Sequence, residues 1–186
     1  MRAVRHLPNL ISVLRIVLIW PILVSIERGA YGWTLALFFV AAASDGLDGF
    51  LAKHFHWMSA FGRVIDPMAD KLLLVAVFLV MTWLGLVPRW LTVAAVARDT
   101  LIALGSIVFR LGWGPLNGYP MLGSKVNTLL QLGYVLAVLA HAGYGWPPQP
   151  LCAVLAVLTF ITVLWSGYGY VRLFTGRALQ IAAARG

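Results

Sequence analysis

Long apolar runs dominate the chain and are separated by short stretches of turn-forming residues. A helix needs about 20 residues to cross the hydrocarbon core of a bilayer, and six runs reach or approach that length. The stretches between them are rich in glycine and proline, which favour turns. The pattern predicts an all-α integral membrane protein, a bundle of six transmembrane helices near residues 9–27, 33–52, 67–87, 90–109, 126–143 and 150–171.

The composition agrees with this class. The 186 residues are 61% hydrophobic and 11% charged, whereas a soluble domain is about 25% charged. A chain of this length has room for one membrane bundle and not for an additional soluble domain. We therefore expect a single membrane domain over residues 1–186.

Basic residues are distributed unevenly along the predicted bundle. Of the 14 Lys and Arg residues, nine fall at the termini or in the even-numbered connections and two in the odd-numbered connections. Cytoplasmic segments carry an excess of Lys and Arg, so we expect both termini in the cytoplasm. The net charge of +8 is scattered along membrane edges, which indicates contact with anionic lipid headgroups and not with nucleic acid.

Five of the six acidic residues lie in or against the apolar runs, where carboxylates are costly. Four of them form two pairs, Asp45 and Asp48 in the second predicted helix and Asp66 and Asp70 in the third. Residues three or four apart share one helix face, and the connection over 53–65 returns the chain so that the two faces can meet. An acidic residue inside a membrane indicates a functional site by default.

Four converging carboxylates require positive charge between them. Carboxylate oxygens are ligands that Mg²⁺ and Mn²⁺ prefer, usually together with substrate phosphates. We predict a site for two divalent cations that would hold a diphosphate during its cleavage, with Asp70 as the base for an attacking hydroxyl. The alternative is an ion-pair network with Arg15, Lys71 and Arg98, but three bases cannot neutralise five acids.

Small residues occupy fixed positions beside the acids. Gly49, Ala52 and Gly62 carry little or no side chain, which leaves room for a ligand to approach the backbone. Small residues also allow membrane helices to pack closely. Both interpretations stay open from the residues alone.

These acids and small residues form one motif, Asp45-x2-Asp48-Gly49-x2-Ala52-Lys53-x8-Gly62-x3-Asp66-x3-Asp70. The motif resembles the signature of the CDP-alcohol phosphatidyltransferase family, with Lys53 in place of the usual arginine. Lysine keeps the positive charge and loses bidentate phosphate recognition. The resemblance implies metal binding by Asp45, Asp48, Asp66 and Asp70, with Asp70 also as general base, and contact with the CMP portion by Gly49, Ala52, Lys53 and Gly62.

The N-terminal stretch Pro8-Asn9-Leu10-Ile11-Ser12-x2-Arg15 resembles the opening of the family's first helix. This similarity implies that Asn9 and Arg15 reach the nucleotide or its phosphates. Lys71 is more simply explained as a neutralising partner of Asp66 or Asp70. Family members are usually dimers, so the resemblance also implies a homodimer.

Two further segments bear on the acceptor alcohol, Ala97-Arg98-Asp99 and 124–128, which has the sequence Ser-Lys-Val-Asn-Thr. Both resemble the CMP-forming, eukaryotic-type cardiolipin synthases. The related phosphatidylglycerophosphate synthases typically have Ala-Arg-Glu, a second arginine about two turns later, and Gly-Lys-x-Lys-Thr. At the distinguishing positions this chain has Asp99, Ser106 and Asn127.

The resemblance implies transfer of a phosphatidyl group from CDP-diacylglycerol to a glycerol-type hydroxyl with release of CMP. The expected acceptor is phosphatidylglycerol, giving cardiolipin, and glycerol 3-phosphate is the alternative. The expected location of the active site is the cytoplasmic face of a bacterial inner membrane or an organelle inner membrane. Arg98 and Lys125 are candidate ligands of the acceptor's phosphate, although an Arg98–Asp99 ion pair and an interfacial lysine explain them nearly as well.

Two other classes of membrane protein also use intramembrane acids. A divalent-cation transporter would place them near the bilayer midplane with a path to both faces, whereas these acids lie at one end of their predicted helices. A membrane prenyltransferase would be expected to have more spans and a differently spaced motif. Both are weaker explanations of the sequence.

Overall fold

The computed structural model of the chain describes the backbone of residues 7–54, 62–113 and 122–185, and the side chains of residues 14–44, 71–109 and 122–180. Every element within these ranges is helical. The helices are α1 (Leu7–Glu27), α2 (Tyr31–His54), α3 (Gly62–Trp83), α4 (Arg89–Trp113), α5 (Leu122–Tyr144) and α6 (Gln149–Arg185). The predicted all-α class is confirmed, and each predicted span corresponds to one helix.

Three stretches of helix are long and apolar enough to cross a membrane, Arg89–Phe109, Leu122–Tyr144 and Gln149–Gln180. Shorter apolar stretches, Tyr31–Ser44 and Lys71–Trp83, adjoin the acid-bearing parts of α2 and α3. Many large apolar side chains are exposed, as expected where lipid surrounds the surface. The chain is a membrane protein, while six crossings and the orientation of the termini stay predictions.

Helix α6 is much longer than the sequence pattern predicts. The membrane span predicted near 150–171 lies within α6, which continues to Arg185, has 37 residues and extends about 55 Å at 1.5 Å per residue. The final segment contains no proline, and most residues after Gly176 have high helix propensity. The hydroxyl of Thr175 donates to the Val171 carbonyl, so this β-branched residue is also accommodated within the helix.

Contacts divide the chain into two compact units. Unit 1 comprises Met1–Pro88 and Val135–Cys152, and unit 2 comprises Arg89–Tyr134 and Ala153–Gly186. The family-type membrane domain expected over residues 1–186 stays a prediction.

In unit 1, α1 packs against both α2 and α3. Short connections follow α1, α3 and α5, and each contains a glycine with a positive φ: Gly29 at +70°, Gly85 at +75° and Gly145 at +73°. This left-handed conformation is strained for residues with a side chain, and it commonly ends helices. Glycine at these positions therefore terminates three of the helices.

The start of α2 and the end of α5 touch within unit 1. A Cβ atom at Gly143 would lie 3.2 Å from the Tyr31 Cβ and 3.3 Å from the Gly32 nitrogen, and the Tyr144 hydroxyl lies against Gly32. Only very small residues permit this approach of backbone to backbone. The absence of a side chain at Gly32 and at Gly143 therefore determines where these two helix ends meet.

In unit 2, aromatic rings hold α4 against α6. The Phe109 and Phe174 rings stack with their centroids 5.4 Å apart and an interplanar angle of 21°, and Tyr170 lies 6.0 Å from Phe174. The Phe174 ring occupies the space where a side chain at Gly105 would be. Gly105 therefore permits the ring to pack directly on the α4 backbone.

We expect the Gly105→Ala variant to be less stable than the wild type by about 1–3 kcal/mol, the usual cost of overpacking. The new methyl group would collide with the Phe174 ring, whose movement Phe109 and Tyr170 restrict. Thermal unfolding in detergent measures this change. The control is Gly133→Ala, since nothing lies within 4 Å of a Cβ added there. Equal melting temperatures for the two variants would contradict the predicted packing.

Candidate active site

The four motif aspartates lie on two helices of unit 1. Asp45 and Asp48 are in the last ten residues of α2, and Asp66 and Asp70 are in the first nine residues of α3. Each pair shares a helix face because its members are three or four residues apart on a continuous helix. Helix α1 packs against both of these helices. The carboxylates themselves lie outside the described side chains, so their convergence stays a prediction.

The predicted nucleotide-binding residues lie on the same three helices. Asn9 is in the first turn of α1, the group Gly49, Ala52 and Lys53 is near the end of α2, and Gly62 begins α3. Their side-chain positions are outside the described residues. Their roles toward CMP therefore stay predictions.

Among the residues predicted to bind the metals or the donor substrate, Arg15 is the one whose burial is described. It lies on α1 and is only 1% exposed. A buried guanidinium in a membrane protein is usually matched with negative groups, and α1 packs on the two helices that carry the aspartates. This placement is compatible with contact to a substrate phosphate or to the acids. Lys71, half-buried and directly after Asp70, is compatible with a neutralising role.

Among the residues with described side chains, no group of three or more His, Cys, Asp or Glu could hold a metal ion. The motif supplies four carboxylates, two on each of two helices that pack on α1. Such a donor set suits hard divalent cations. These residues therefore fit the predicted metals by their chemistry.

Arg98 joins three helices of unit 2. It lies on α4, and its Nη1 donates to the Asp99 Oδ1 over 2.5 Å. Its Nη2 donates to the Oγ of Ser124 on α5 over 2.8 Å and to the Oγ of Ser166 on α6 over 2.6 Å. The ion pair with Asp99, one of the two explanations of Arg98, is confirmed. The hydrogen bonds to the two serines show that Arg98 also organises a polar centre.

Lys125 does not join this centre. Its side chain is exposed and makes no hydrogen bond or ion pair within the described part of the chain. Exposure at the start of α5 agrees with the alternative explanation, an interfacial lysine whose head group stays in a polar environment. Its role toward an acceptor phosphate stays a prediction.

A line of polar side chains continues between α5 and α6. Asn127 is fully buried, and its Oδ1 accepts a hydrogen bond from the Thr162 hydroxyl over 3.2 Å. The Thr159 hydroxyl donates to the Leu130 carbonyl over 3.4 Å. We call this line the polar seam: Ser124, Asn127 and Gln131 on α5, and Thr159, Thr162 and Ser166 on α6.

The sequence interpretation missed the α6 half of the polar seam. Thr159, Thr162 and Ser166 recur three and four residues apart in an otherwise apolar helix. That spacing places the three residues on one helix face, and it was the feature of the sequence that could have indicated a polar contact surface on α6. Serine and threonine are common in membrane helices, where they bond to their own backbone or to neighbouring helices, so the signal is weak without the structure.

A groove of about 670 Å³ lies in unit 2 between the start of α5 and one face of α6. Its apolar wall includes Trp165 and Leu173, and its polar wall includes Arg172, Arg177 and Gln180. Ser166, which accepts a hydrogen bond from Arg98, also lines the groove. The combination of an apolar wall and guanidinium groups suits an anionic head group attached to hydrocarbon.

Residues 5–166 match the family model described as CDP-alcohol phosphatidyltransferase. The chain belongs to this family. The match confirms the family and the enzyme class predicted from the aspartate motif. The reaction of this class is phosphatidyl transfer in phospholipid synthesis. CDP-alcohol phosphatidyltransferases generally use divalent cations, in agreement with the predicted class of cofactor.

Family members with two acceptor types are similar to this chain. A cardiolipin synthase (CMP-forming) from Streptomyces coelicolor is 32% identical over 75% of this chain and 67% of its own length. A CDP-diacylglycerol–glycerol-3-phosphate 3-phosphatidyltransferase from Bacillus subtilis is 30% identical over 73% of this chain and 77% of its own length. The chloroplastic enzyme of that name from Oryza sativa is 36% identical, with the match spanning 89% of this chain and 56% of the relative.

Proposed function

We propose that this protein transfers the phosphatidyl group of CDP-diacylglycerol to a hydroxyl of phosphatidylglycerol, which releases CMP and forms cardiolipin. The observation that carries the reaction is the family motif, located on two helices that both pack on α1. The groove in unit 2, with its apolar and arginine-bearing walls, favours a lipid acceptor. The similarity to a cardiolipin synthase is compatible with this choice.

The proposed reaction is a direct displacement at phosphorus. Asp70 takes the proton from the acceptor hydroxyl, whose oxygen attacks the phosphorus that bears diacylglycerol. The bond from that phosphorus to the oxygen of CMP breaks, and CMP leaves with the electron pair. When bound by Asp45, Asp48, Asp66 and Asp70, two Mg²⁺ or Mn²⁺ ions would offset the charge of the diphosphate.

Other residues would position the donor substrate. Gly49, Ala52 and Gly62 leave room for the CMP portion, and Lys53 supplies positive charge beside it. Asn9 and Arg15 would reach the nucleotide or phosphates from α1. The burial of Arg15 against the acid-bearing helices supports this assignment.

On the acceptor side, we assign Arg98 and Lys125 to the acceptor's phosphate. Arg98 is buried and donates a hydrogen bond to Ser166, which also lines the groove. This position beside the groove supports the assignment of Arg98 to the acceptor's phosphate. Glycerol 3-phosphate, which would give phosphatidylglycerophosphate, is the second candidate and is favoured by the similarity to the Bacillus subtilis enzyme. It has no acyl chains, however, and would leave the apolar wall of the groove unused.

The proposed setting is a homodimer with six membrane crossings in a bacterial inner membrane or an organelle inner membrane. Both termini and the acid-bearing ends of α2 and α3 would face the cytoplasm. The excess of basic residues at the termini and in the even-numbered connections supports this orientation.

An acceptor comparison tests the proposal. Purified protein in detergent receives Mg²⁺, CDP-diacylglycerol and one acceptor, and both CMP and the lipid product are quantified. We expect cardiolipin from phosphatidylglycerol, with a lower rate from glycerol 3-phosphate. Product from glycerol 3-phosphate alone would overturn the acceptor. Absence of CMP with either acceptor would contradict the proposed reaction. It would favour the alternative class, a divalent-cation transporter.

A further inference from the structure

We propose that the hydroxyl of Ser166 binds the phosphate of the acceptor in the groove of unit 2, and that Arg98 acts on the acceptor through this hydroxyl. Ser166 is then the residue that touches the substrate, and Arg98 is a positioning residue behind it. This inference rests on the proposed function and specifies the atom that recognises its acceptor.

The first observation is the position of Ser166 at the groove. Ser166 is only 2% exposed, and it belongs to the wall of the groove of about 670 Å³. Arg98 is also buried, at 6% exposed, but it is not among the residues that line the groove. The polar contact that this part of the groove offers to a ligand is therefore the serine hydroxyl and not the guanidinium.

The second observation is the hydrogen bonding of this hydroxyl. The Ser166 Oγ accepts a hydrogen bond from the Arg98 Nη2 over 2.6 Å. Within the described part of the chain, it donates none of its own. Five other helical hydroxyls donate to the carbonyl four residues earlier, those of Ser25, Thr34, Ser44, Thr128 and Thr175. The proton of Ser166 is thus left for an oxygen atom of a ligand in the groove.

The bond from Arg98 determines which oxygen suits Ser166 best. A guanidinium polarises the hydroxyl that accepts its hydrogen bond, and successive hydrogen bonds strengthen one another in a low-dielectric interior. Ser166 is therefore a stronger donor than a serine without such a partner. Hydrogen bonds to a charged oxygen are the strongest, so the preferred ligand atom is an anionic oxygen.

The groove also contributes positive charge directly. Arg172 lines it and is exposed, and it follows Ser166 by six residues on α6, about 9 Å along the helix axis. A positive side chain repels cations and attracts the oxygens of a phosphate ester. Trp165 and Leu173 in the same groove suit hydrocarbon. The ligand that matches these walls is a lipid phosphate.

A purely structural role would not distinguish Ser166 from Ser124. Both hydroxyls accept from the same Nη2 of Arg98, over 2.6 and 2.8 Å, and so connect α4 with α6 and α5. Of the two, Ser166 lines the groove. The two serines therefore form a matched pair, in which Ser166 is expected to touch the acceptor and Ser124 only holds Arg98.

The first test compares Ser166→Ala and Ser124→Ala with the wild type in the full-length protein. Each receives Mg²⁺ and saturating CDP-diacylglycerol, and kcat and KM are measured with phosphatidylglycerol. Ser166→Ala should raise this KM at least about tenfold, the usual effect of one hydrogen bond to a charged group, and change kcat much less. Ser124→Ala should leave both constants near those of the wild type. Equal increases of KM in the two variants would overturn the inference.

Filling the groove is a second test, which also serves if Ser166→Ala does not fold. Gly176 lines the groove, and nothing lies within 4 Å of a Cβ added there. Gly176→Leu should therefore fold and raise the KM for phosphatidylglycerol. The control Gly133→Leu adds the same side chain at a glycine that is equally open but does not line the groove. An unchanged KM in Gly176→Leu would show that the acceptor does not occupy the groove and would overturn the inference.

The outcomes distinguish the inference from the proposed function. An active wild type whose KM is unchanged in Ser166→Ala overturns the inference and leaves the reaction intact. If the wild type uses glycerol 3-phosphate alone, the proposed acceptor is wrong. The KM for glycerol 3-phosphate in Ser166→Ala then decides the inference, because that acceptor also carries a phosphate. A wild type that releases no CMP with either acceptor contradicts the proposed function and the inference with it.

Discussion

Replacing Asp70 with asparagine is expected to abolish turnover while the protein still binds CDP-diacylglycerol. Asparagine has nearly the same shape as aspartate but cannot accept the proton of the attacking hydroxyl. General bases contribute factors on the order of 10² to 10⁴ to rate, and loss of a metal ligand would add to this. Single-turnover release of CMP measures the chemical step.

Binding of the donor substrate is measured separately, as the rise in melting temperature that CDP-diacylglycerol produces in the presence of Mg²⁺. Asp70→Asn should retain most of this rise. Asp45→Asn is the comparison, because Asp45 is proposed to act through the metal alone and to take no proton, so its loss should lower donor binding at least as much as the loss of Asp70. Substantial CMP release by Asp70→Asn would remove Asp70 from the role of base.

Replacing Arg98 with methionine should destabilise the protein by about 3–5 kcal/mol, the usual consequence of removing one member of a buried ion pair. The Asp99 carboxylate would be left without its guanidinium, and the Ser124 and Ser166 hydroxyls would lose their shared donor. Thermal unfolding in detergent measures the loss. The control Arg28→Met removes an exposed arginine of unit 1 and should have little effect.

The double variant Arg98→Met/Asp99→Leu separates the structural role of the ion pair from its role toward the acceptor. Removing both charges leaves no uncompensated carboxylate, so most of the stability should return. Turnover with phosphatidylglycerol should stay low, because the guanidinium proposed to bind the acceptor is absent. A double variant with full activity would show that the ion pair serves stability alone.

Much of the helical layout could be predicted from the sequence, because apolar runs and turn residues mark the same boundaries. Gly29, Gly85 and Gly145 lie where three of the runs end, and their left-handed conformation explains why helices stop there. Helix α6 extends beyond the span predicted near 150–171 for a related reason. An apolar run ends where lipid contact ends, whereas α6 continues to Arg185 because the residues after Gly176 include no proline and mostly favour a helix.

The charged residues of the candidate site could be recognised from the sequence. Aspartates in apolar runs are conspicuous because of their cost, and Arg98 next to Asp99 suggested an ion pair. The contribution of Ser166 was not predictable, since it depends on which faces of α4, α5 and α6 meet. Likewise, the role of the Asn127 side chain could not be predicted, because it depends on burial and on the hydrogen bond from the Thr162 hydroxyl.

The glycine turns of unit 1 have a consequence for membrane asymmetry. Helix α2 begins just after the turn at Gly29, and Asp45 lies about 21 Å along the helix from its first residue. Asp70 lies about 20 Å along α3 from Trp83, the last residue before the turn at Gly85. The turns and the acids thus lie at opposite ends of these helices. In the proposed mechanism the chemistry is confined to the acid-bearing end, so new phospholipid would be assembled in a single leaflet. Supplying the opposite leaflet would require a separate lipid translocation step.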